Sequence, residues 1–541
     1  MTDYILMITG KQSIWKRSPI VRFVRWLFSG RIMRPALKIA AAGAVVLVMY
    51  YGEEDWRGSR AWNAYLRDSK ITAEEMDFHS FIPKPVPDDE NFASIPIVKG
   101  WFGTPYRNDP FKSDRFSKAP PSLIQDLKNI ETIKSLQPLD LVAWQIGLAK
   151  KSTNGPASTR NEAGFEQAPS WRQRAAAEVV AAMQDDETAI QSLRGASGRT
   201  QFYYPVNYSA DDPWSTLLPH DYNIEEIAAR LELKACAELA EGDSAKAFDD
   251  VMLTLYLADS LTNEPLVISY LVRARCVHAA VQPIWEGIAQ QNWSDSQLQE
   301  MERRLLRFNF ILELEKPLKT ERAFCLLTID LTKSKGVSYL ARTVSTNPTV
   351  FGGVLGSILD CGIPSGWFSF EKVNYCRSFD ILFADTFDPV AGTVSPLRSE
   401  SNRNAFNQDV SFGGGTPTGI ILQHRTVARI FLPTLPKVLF RAAIAQTAAN
   451  EASLACALER YHLANGKYPA NLQLLVPEWL PAIPHEVIGG QGYRYRLIPP
   501  NRFLLYSIGW DQQDHGGKPG EFLFSREGDW VWENPGRNTI E

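Results

Sequence analysis

The chain has few cysteines, and they are not arranged as metal ligands. None belongs to a C-x-x-C pair and none has a histidine neighbour at zinc-ligand spacing, so the pattern argues against a metal–thiolate site. Cys361 and Cys376 are the closest pair in sequence, which leaves two alternatives open, a disulfide between them or buried free thiols. The cysteines are Cys236, Cys276, Cys325, Cys361, Cys376 and Cys456.

The chain also lacks an excess of charge of either sign. Its 57 basic and 61 acidic side chains leave a formal net charge of −4. Without a strong field of one sign, the sequence argues against a nucleic-acid partner. Hydrophobic residues make up 45% of the 541 residues and aromatic residues 11%, more than a disordered chain carries. We therefore expect a folded body that divides into about two to four domains.

Catalytic motifs are missing as well. The histidines form no H-E-x-x-H pair, and no G-x-S-x-G elbow is present. The glycine-rich run from Gly413 to Pro417 lacks the lysine and hydroxyl residue that end a phosphate-binding loop. His278 is predicted to be a core or interface residue, and the adjacent pair Asp249 and Asp250 to lie on a solvated helix face. The sequence therefore assigns no catalytic or cofactor-binding residue and favours a role other than catalysis.

Long apolar runs are scarce, and one stands out near the N-terminus. Residues Ile39 to Gly52 carry no charge, and with the preceding turn they predict a transmembrane helix over residues 35–52. No small-x-small cleavage site follows the run. A retained signal-anchor is therefore favoured over a cleaved signal peptide or a buried core helix. The basic segment of residues 1–34 precedes this helix.

The charges on the two sides of the apolar run predict its orientation. Eight cationic residues and one acidic residue, Asp3, precede it, whereas Glu53, Glu54 and Asp55 follow it. The positive-inside rule keeps the N-terminus in the cytoplasm and places the rest of the chain outside. We therefore expect a single-pass protein of the bacterial inner membrane, bound to the membrane through residues 35–52. The cations are Lys11, Lys16, Arg17, Arg22, Arg25, Arg31, Arg34 and Lys38.

The chain after the anchor divides where its composition changes. Residues 53–150 combine a membrane-proximal polar helix with a proline-rich acidic stalk, FIPKPVPDDENF, in which each proline disfavours helix for the residue before it. A break rich in Ser, Thr, Asn and Gly leads into a helical domain, residues 151–343. An irregular or helical connecting region, residues 344–436, precedes the C-terminal unit, residues 437–541.

Two helices in the middle of the chain are predicted to form a hairpin. Apolar residues recur at helical spacing from Ile224 to Leu239 and again from Ser244 to Leu261, and Gly242 marks the stop between them. The run ACAELAEGDSAKAFDD resembles the inter-helix turn of tetratricopeptide-type hairpins, which implies closely packed helices. No clean second copy follows at the period of about 34 residues that an array requires. The sequence therefore predicts a helical bundle with one tetratricopeptide-like hairpin.

The C-terminal unit is predicted to combine a long helix with a small antiparallel sheet. Lys437 to Ala464 is rich in alanine, and the Asn-Gly pair that follows is typical of a helix C-terminus. Tyr493 to Leu497 and the β-rich run Phe503 to Ile508 predict a hairpin around a proline-containing turn. The whole chain is therefore expected to be mainly α, with a C-terminal α+β unit and a single N-terminal transmembrane helix.

Several runs near the C-terminus carry a family resemblance. They read ALERYHLANGKYPANLQLLVPEWLP, YRYR, LLYSIGWDQQDHGG and GDWVW. Together they resemble the globular part of the major pseudopilins of type II secretion, over roughly the last 90 residues. The N-terminal prepilin signature of that family is missing, so the resemblance implies the fold of this unit and not a polymerising pilin.

The same resemblance implies a metal site in the loop after the second strand. In the pseudopilins an acidic loop binds a structural calcium ion. Asp511 matches the first aspartate of that loop, Asp514 lies further along it, and Asp529 stands before Trp530 as the closing acid does. Calcium suits such a loop because it takes about six to eight oxygen ligands in flexible geometry. A plain hairpin connection is the alternative, since an exposed turn also requires Asp and Gly.

A second resemblance covers the whole chain. YYGEEDWRGSRAW, PVPDDENFA and the C-terminal block together resemble a set of bacterial membrane-anchored proteins of unknown function, and this brings no activity with it. The anchor, the helical hairpin and the missing catalytic motifs favour a scaffold, or an assembly and interaction protein with protein partners in the envelope. The alternative is an extracytoplasmic hydrolase of cell-wall or polysaccharide material, because the 15 tryptophans offer sugar-stacking platforms unless they serve the core.

Overall fold

Most of the chain is helical. The computed structural model describes residues 28–69, 71–103, 119–128, 135–148, 170–208, 212–344, 362–411 and 423–534, with Phe116 and a few positions between 19 and 26. The helices are α1 (Gly30–Asp68), α2 (Pro96–Trp101), α3 (Pro121–Lys128), α4 (Leu141–Leu148), α5 (Ser170–Ala182), α6 (Glu187–Gly195), α7 (Pro219–Glu241), α8 (Ser244–Ser260), α9 (Val267–Gln290), α10 (Asp295–Leu305), α11 (Phe310–Glu313), α12 (Glu315–Lys335), α13 (Val337–Val344), α14 (Ser365–Phe383), α15 (Pro396–Ser411), α16 (Thr426–Phe431) and α17 (Lys437–Asn465).

Two small antiparallel sheets complete the secondary structure of the described residues. A two-stranded hairpin pairs β1 (Phe387–Asp388) with β2 (Thr393–Val394). Near the C-terminus, β3 (Arg494–Ile498), β4 (Arg502–Ser507) and β5 (Trp530–Glu533) form a sheet in the order β3-β4-β5. The expected fold class is confirmed at this level: mainly helical, with a small C-terminal antiparallel sheet and one N-terminal apolar helix.

The predicted helical hairpin is present as α7 and α8. Gly242 ends α7 with a left-handed φ of 88°, a conformation that costs glycine little because it has no Cβ. Asp243 then caps α8, since its side chain accepts a hydrogen bond from the backbone N–H of Lys246. The sequence placed this turn correctly. The tetratricopeptide-like character of the pair stays a prediction.

The chain forms two compact units. The first comprises Met1–Lys70, Ile329–Tyr375 and Ile420–Thr426. The second comprises Ile71–Thr328, Cys376–Gly419 and Val427–Glu541. Each unit is assembled from segments that are distant in sequence. Changes of composition along the chain do not predict such an assembly. The six segments proposed from composition remain predictions.

In the first unit, α1 is a single helix of 39 residues. At about 1.5 Å per residue it is roughly 58 Å long, about twice the thickness of a bilayer hydrocarbon core. The sequence suggested a membrane helix ending at Gly52 and a separate polar helix from Asp55 to Ser80. The observed helix runs through both and ends at Asp68, because Gly52 and Gly58 keep helical backbone. The proline-spaced segment at residues 83–87 has no regular secondary structure, as predicted.

The polar half of α1 is tied to the start of α14. The hydroxyl of Tyr51 donates to the carbonyl of Gly362 over 2.7 Å. The backbone N–H of Gly366 donates to Asp55 Oδ1 over 2.7 Å, and the indole N–H of Trp367 donates to Glu54 Oε2 over 3.2 Å. These hydrogen bonds hold two segments more than 300 residues apart in the sequence.

Some predicted features change or fall outside the described residues. In the connecting region, residues 362–411 and 423–436 are mainly helical, and Gly366, one of the glycines that suggested irregular chain, lies in the first turn of α14. The break at residues 150–164, the glycine-rich run at 413–417 and Cys361 lie outside the described residues. Cys376 is fully buried.

The second unit is built around α17. This helix is buried along most of its length and packs against α9, α10, α11 and β4. Its many alanines let neighbouring helices approach closely. Gly466 ends the helix with a left-handed φ of 70°, as the Asn-Gly pair predicts.

We expect Gly366→Ala to loosen the attachment of α1 to α14. A Cβ atom on Gly366 would lie 2.0 Å from the carbonyl oxygen of Glu54, so backbone must shift. Overpacking of this kind costs about 1–3 kcal/mol. Thermal unfolding and limited proteolysis of the detergent-solubilised protein measure the effect. Gly362→Ala is the control, because its Cβ would meet nothing within 4 Å, and equal destabilisation by the two variants would contradict the prediction.

Candidate functional site

The apolar half of α1 has no protein around it. Of the helices described, α1 alone is long and apolar enough to cross a membrane, and none of its apolar window is buried. Its exposed side chains lie on every side of the helix, whereas a core helix would bury at least one face. This exposure is compatible with a membrane anchor. The exposed apolar residues are Leu37, Ile39, Val45, Val46, Leu47, Val48 and Met49.

The structure brings the three aspartates of the predicted calcium site into one loop. Asp529, at the start of β5, accepts hydrogen bonds from the backbone N–H groups of His515, Gly517 and Lys518 at 3.2, 2.7 and 3.3 Å. It is fully buried. The loop after β4 is therefore folded around this carboxylate, although Asp529 lies more than ten residues away in the sequence.

The other two aspartates also accept hydrogen bonds within this loop. Asp511 accepts from the backbone N–H of Gly528 at 2.8 Å, and Asp514 accepts from the backbone N–H of Gly516 at 2.8 Å. This bond to Gly516 lowers the pKa of Asp514. In the part of the chain that the structure describes, no three His, Cys, Asp or Glu side chains are arranged to hold a metal ion. The calcium site stays a prediction, and the observed role of the aspartates is to organise the loop.

A buried acid–base cluster lies at the start of α7. His220 Nε2 is 3.2 Å from Glu264 Oε2 and 3.5 Å from Asp221 Oδ1. Tyr208 donates to the same oxygen of Glu264, and Tyr204 stacks on the imidazole. Burial raises the pKa of Asp221 to about 6. All members of this cluster are buried, so none of them faces solvent.

The charged residues between α7 and α8 differ from the prediction at Asp250. Asp250 was expected on a solvated face but is fully buried. Its Oδ2 atom is 2.8 Å from Lys234 Nζ, and its Oδ1 atom pairs with Arg194. For Asp250 the prediction was wrong because α8 turns this side chain toward α6 and α7, whose cations replace the lost hydration, whereas Asp249 is exposed as predicted.

A small cavity lies between the helices and the C-terminal sheet of the second unit. Its wall is mainly apolar but contains five polar side chains, for which we name it the polar cavity. Its lining includes Glu232 on α7, Arg275 and His278 on α9, Glu451 on α17 and Trp532 on β5. The space available to the centres of water-sized molecules is about 20 Å³. The cavity is thus far smaller than an organic substrate requires.

Burial shifts the protonation equilibria of the groups around this cavity. It lowers the pKa of His278 to about 3, with help from the positive charge of Arg275. It raises the pKa of Glu232 to about 8, against the opposing effect of Arg275, whose Nη2 lies 3.1 Å away. Burial also raises the pKa of Glu451 well above its usual value. Both shifts favour the uncharged forms of His278 and Glu451.

The sequence located only one member of this cavity, His278, as a core residue. Glu232, Arg275 and Glu451 look like ordinary helix charges, and Trp532 like a sheet residue. They come together only when α7, α9 and α17 pack against β5. No local sequence motif predicts that packing. No protein-family model, curated protein or solved structure matches the chain.

We expect Asp529→Ala to destabilise the C-terminal sheet. Three loop N–H groups lose their acceptor, and an unsatisfied buried donor costs about 1–3 kcal/mol. Melting of the full chain followed by tryptophan fluorescence measures the loss. Asp514→Ala is the control, because Asp514 is much more exposed and should cost less than half as much. A larger loss from Asp514→Ala would contradict this account.

The same melting experiment tests calcium. The pseudopilin resemblance predicts that millimolar calcium raises the midpoint relative to chelator, by mass action on the folded state, and that Asp511→Ala abolishes the difference. Equal midpoints of the unmutated protein with calcium and with chelator would refute the calcium site and leave a hydrogen-bonded loop.

Proposed function

We propose that the chain is a single-pass protein of the bacterial inner membrane whose body lies outside the cytoplasm and acts as a scaffold or assembly and interaction protein of the envelope. The observation that carries the proposal is the apolar half of α1, exposed on all sides with no protein to cover it. In water such a surface is unstable, whereas in a bilayer it is solvated by lipid.

The flanking charges support the orientation. Cations dominate the residues before Ile39, and Glu53, Glu54 and Asp55 follow Gly52. Tyr50 and Tyr51 stand between the apolar run and these acids, as expected of aromatic residues at a membrane interface. The helix α1 continues without interruption from the apolar run to Asp68, so the proposed anchor and the polar residues that follow it form one helix of the first unit.

The burial of reactive groups supports an interaction role over hydrolysis. In the described residues, the His220 cluster and the polar cavity are enclosed rather than open to a substrate. The sugar-stacking hypothesis needs exposed tryptophans, but many of them serve core packing. The buried tryptophans include Trp101, Trp144, Trp285, Trp293, Trp510, Trp530 and Trp532.

Topology can be tested with reporter fusions to the full chain. A reporter active only outside the cytoplasm, fused after Glu541, is expected to be active because the cations before Ile39 stay inside. The same reporter fused after Gly30, before the apolar run, is the matched control and should be inactive. Activity in the reverse pattern would overturn both the orientation and the location of the body.

The interaction role can be tested by site-specific photo-crosslinking in intact membranes. Tyr222 and Leu217 are large apolar side chains that are 65% and 62% exposed, the kind of surface that partners cover. A photo-reactive residue at either position is expected to give adducts of defined mass with an envelope protein. Lys246, an exposed cation, is the control position. If neither apolar position yields an adduct while the protein is folded in the membrane, the proposed role fails.

A further inference from the structure

The polar cavity of the second unit contains atoms that need a hydrogen-bond partner. His278 Nε2, Glu451 Oε1 and Trp532 Nε1 are buried and make no hydrogen bond to the described chain. Their residues are only 7%, 2% and 1% exposed, and all three line the same cavity. Leaving a buried polar atom unsatisfied costs about 1–3 kcal/mol. Three such atoms around one space point to a bound molecule.

The dimensions of the cavity restrict that molecule. The space open to the centres of water-sized molecules is about 20 Å³, which is enough for water, since a cavity takes up water once it can hold one water-sized sphere of about 10–15 Å³. An organic ligand therefore does not fit. A metal cation is disfavoured as well, because Arg275 is positively charged and Trp532 offers only an N–H donor.

The hydrogen-bonding capacities of the three groups are complementary to water. Burial and the neighbouring backbone carbonyl of Ile444 favour a neutral imidazole with its proton on Nδ1, which leaves Nε2 of His278 as an acceptor. Burial likewise favours the uncharged form of Glu451, in which the carboxyl group offers one O–H donor. The indole of Trp532 is always a donor.

We propose that this cavity binds one ordered water molecule, which donates to His278 Nε2 and accepts hydrogen bonds from Glu451 Oε1 and Trp532 Nε1. Three hydrogen bonds are typical of a buried water. The water joins α9, α17 and β5, and so attaches the C-terminal sheet to the helical core through a polar contact that the side chains do not make by themselves.

A crystal structure of the full chain in detergent tests the proposal directly. One spherical density peak within hydrogen-bonding distance of all three atoms is expected. Bromide soaking of a second crystal should give no anomalous peak there, whereas such a peak would identify an anion site. An empty cavity in a map that shows other internal waters would overturn the proposal, as would density longer than one water.

Single substitutions distinguish the loss of a hydrogen bond to the water from a general disruption of the sheet. Trp532→Phe removes one donor to the water and is expected to reduce its occupancy at least twofold. Trp530→Phe is the matched control, because Trp530 donates to the carbonyl of Ser525 rather than into the cavity, so the water should remain. Glu451→Gln keeps a donor group at the same place and should retain the peak. Full occupancy in Trp532→Phe, or loss of the peak in Trp530→Phe but not in Trp532→Phe, would contradict the assigned partners.

Discussion

The burial of α17 on nearly all sides is the constraint on which the second unit depends. Each alanine side chain buries little apolar area, so an alanine-rich helix is stabilised mainly by the elements packed around it. Here these elements are α9, α10, α11 and β4. Its charges also need partners. Arg460 lies 2.9 Å from Glu302 and 3.0 Å from Asp295 on α10, which restricts the packing of these two helices. The apolar half of α1 also contains many alanines but is exposed along its length, which is compatible with a membrane anchor.

Buried ion pairs restrict the remaining helix contacts. Arg172 on α5 pairs with Glu286 on α9 over 2.6 Å, and Lys234 on α7 pairs with Asp250 on α8 over 2.8 Å. Removing one partner of a buried pair leaves a charge without compensation and costs about 3–5 kcal/mol. Helix faces that meet in any other register would leave these charges unpaired. The pairs therefore favour one arrangement of the bundle, even where their net contribution to the free energy of unfolding is small.

Polar contacts also fix the C-terminal sheet against the elements around it, one of them a helix and the others loops of the same unit. The indole N–H of Trp285 on α9 donates to the carbonyl of Glu533 over 2.8 Å, and the backbone N–H of Ile508 donates to the buried Glu486 over 3.0 Å. Asp529 organises the preceding loop through backbone N–H groups. The proposed water adds a fourth contact of this kind. Such directional bonds add orientation to the apolar packing of the sheet, whose Phe503, Trp530 and Trp532 are fully buried.

Local sequence patterns were sufficient for the features that depend on neighbouring residues. The uncharged run before Gly52 indicated α1, Gly242 and Gly466 marked helix ends, and alternating residues around residues 494–507 indicated the β3–β4 hairpin. The meeting of Asp250 with Lys234, and of His278 with Glu451 and Trp532, could not be predicted in this way. A charge at helical spacing looks the same whether water or another helix faces it, and only the packing of distant segments removes the water. That packing also determines which residues form the polar cavity, since its wall extends from Leu127 on α3 to Trp532 on β5, about four hundred residues apart in the sequence.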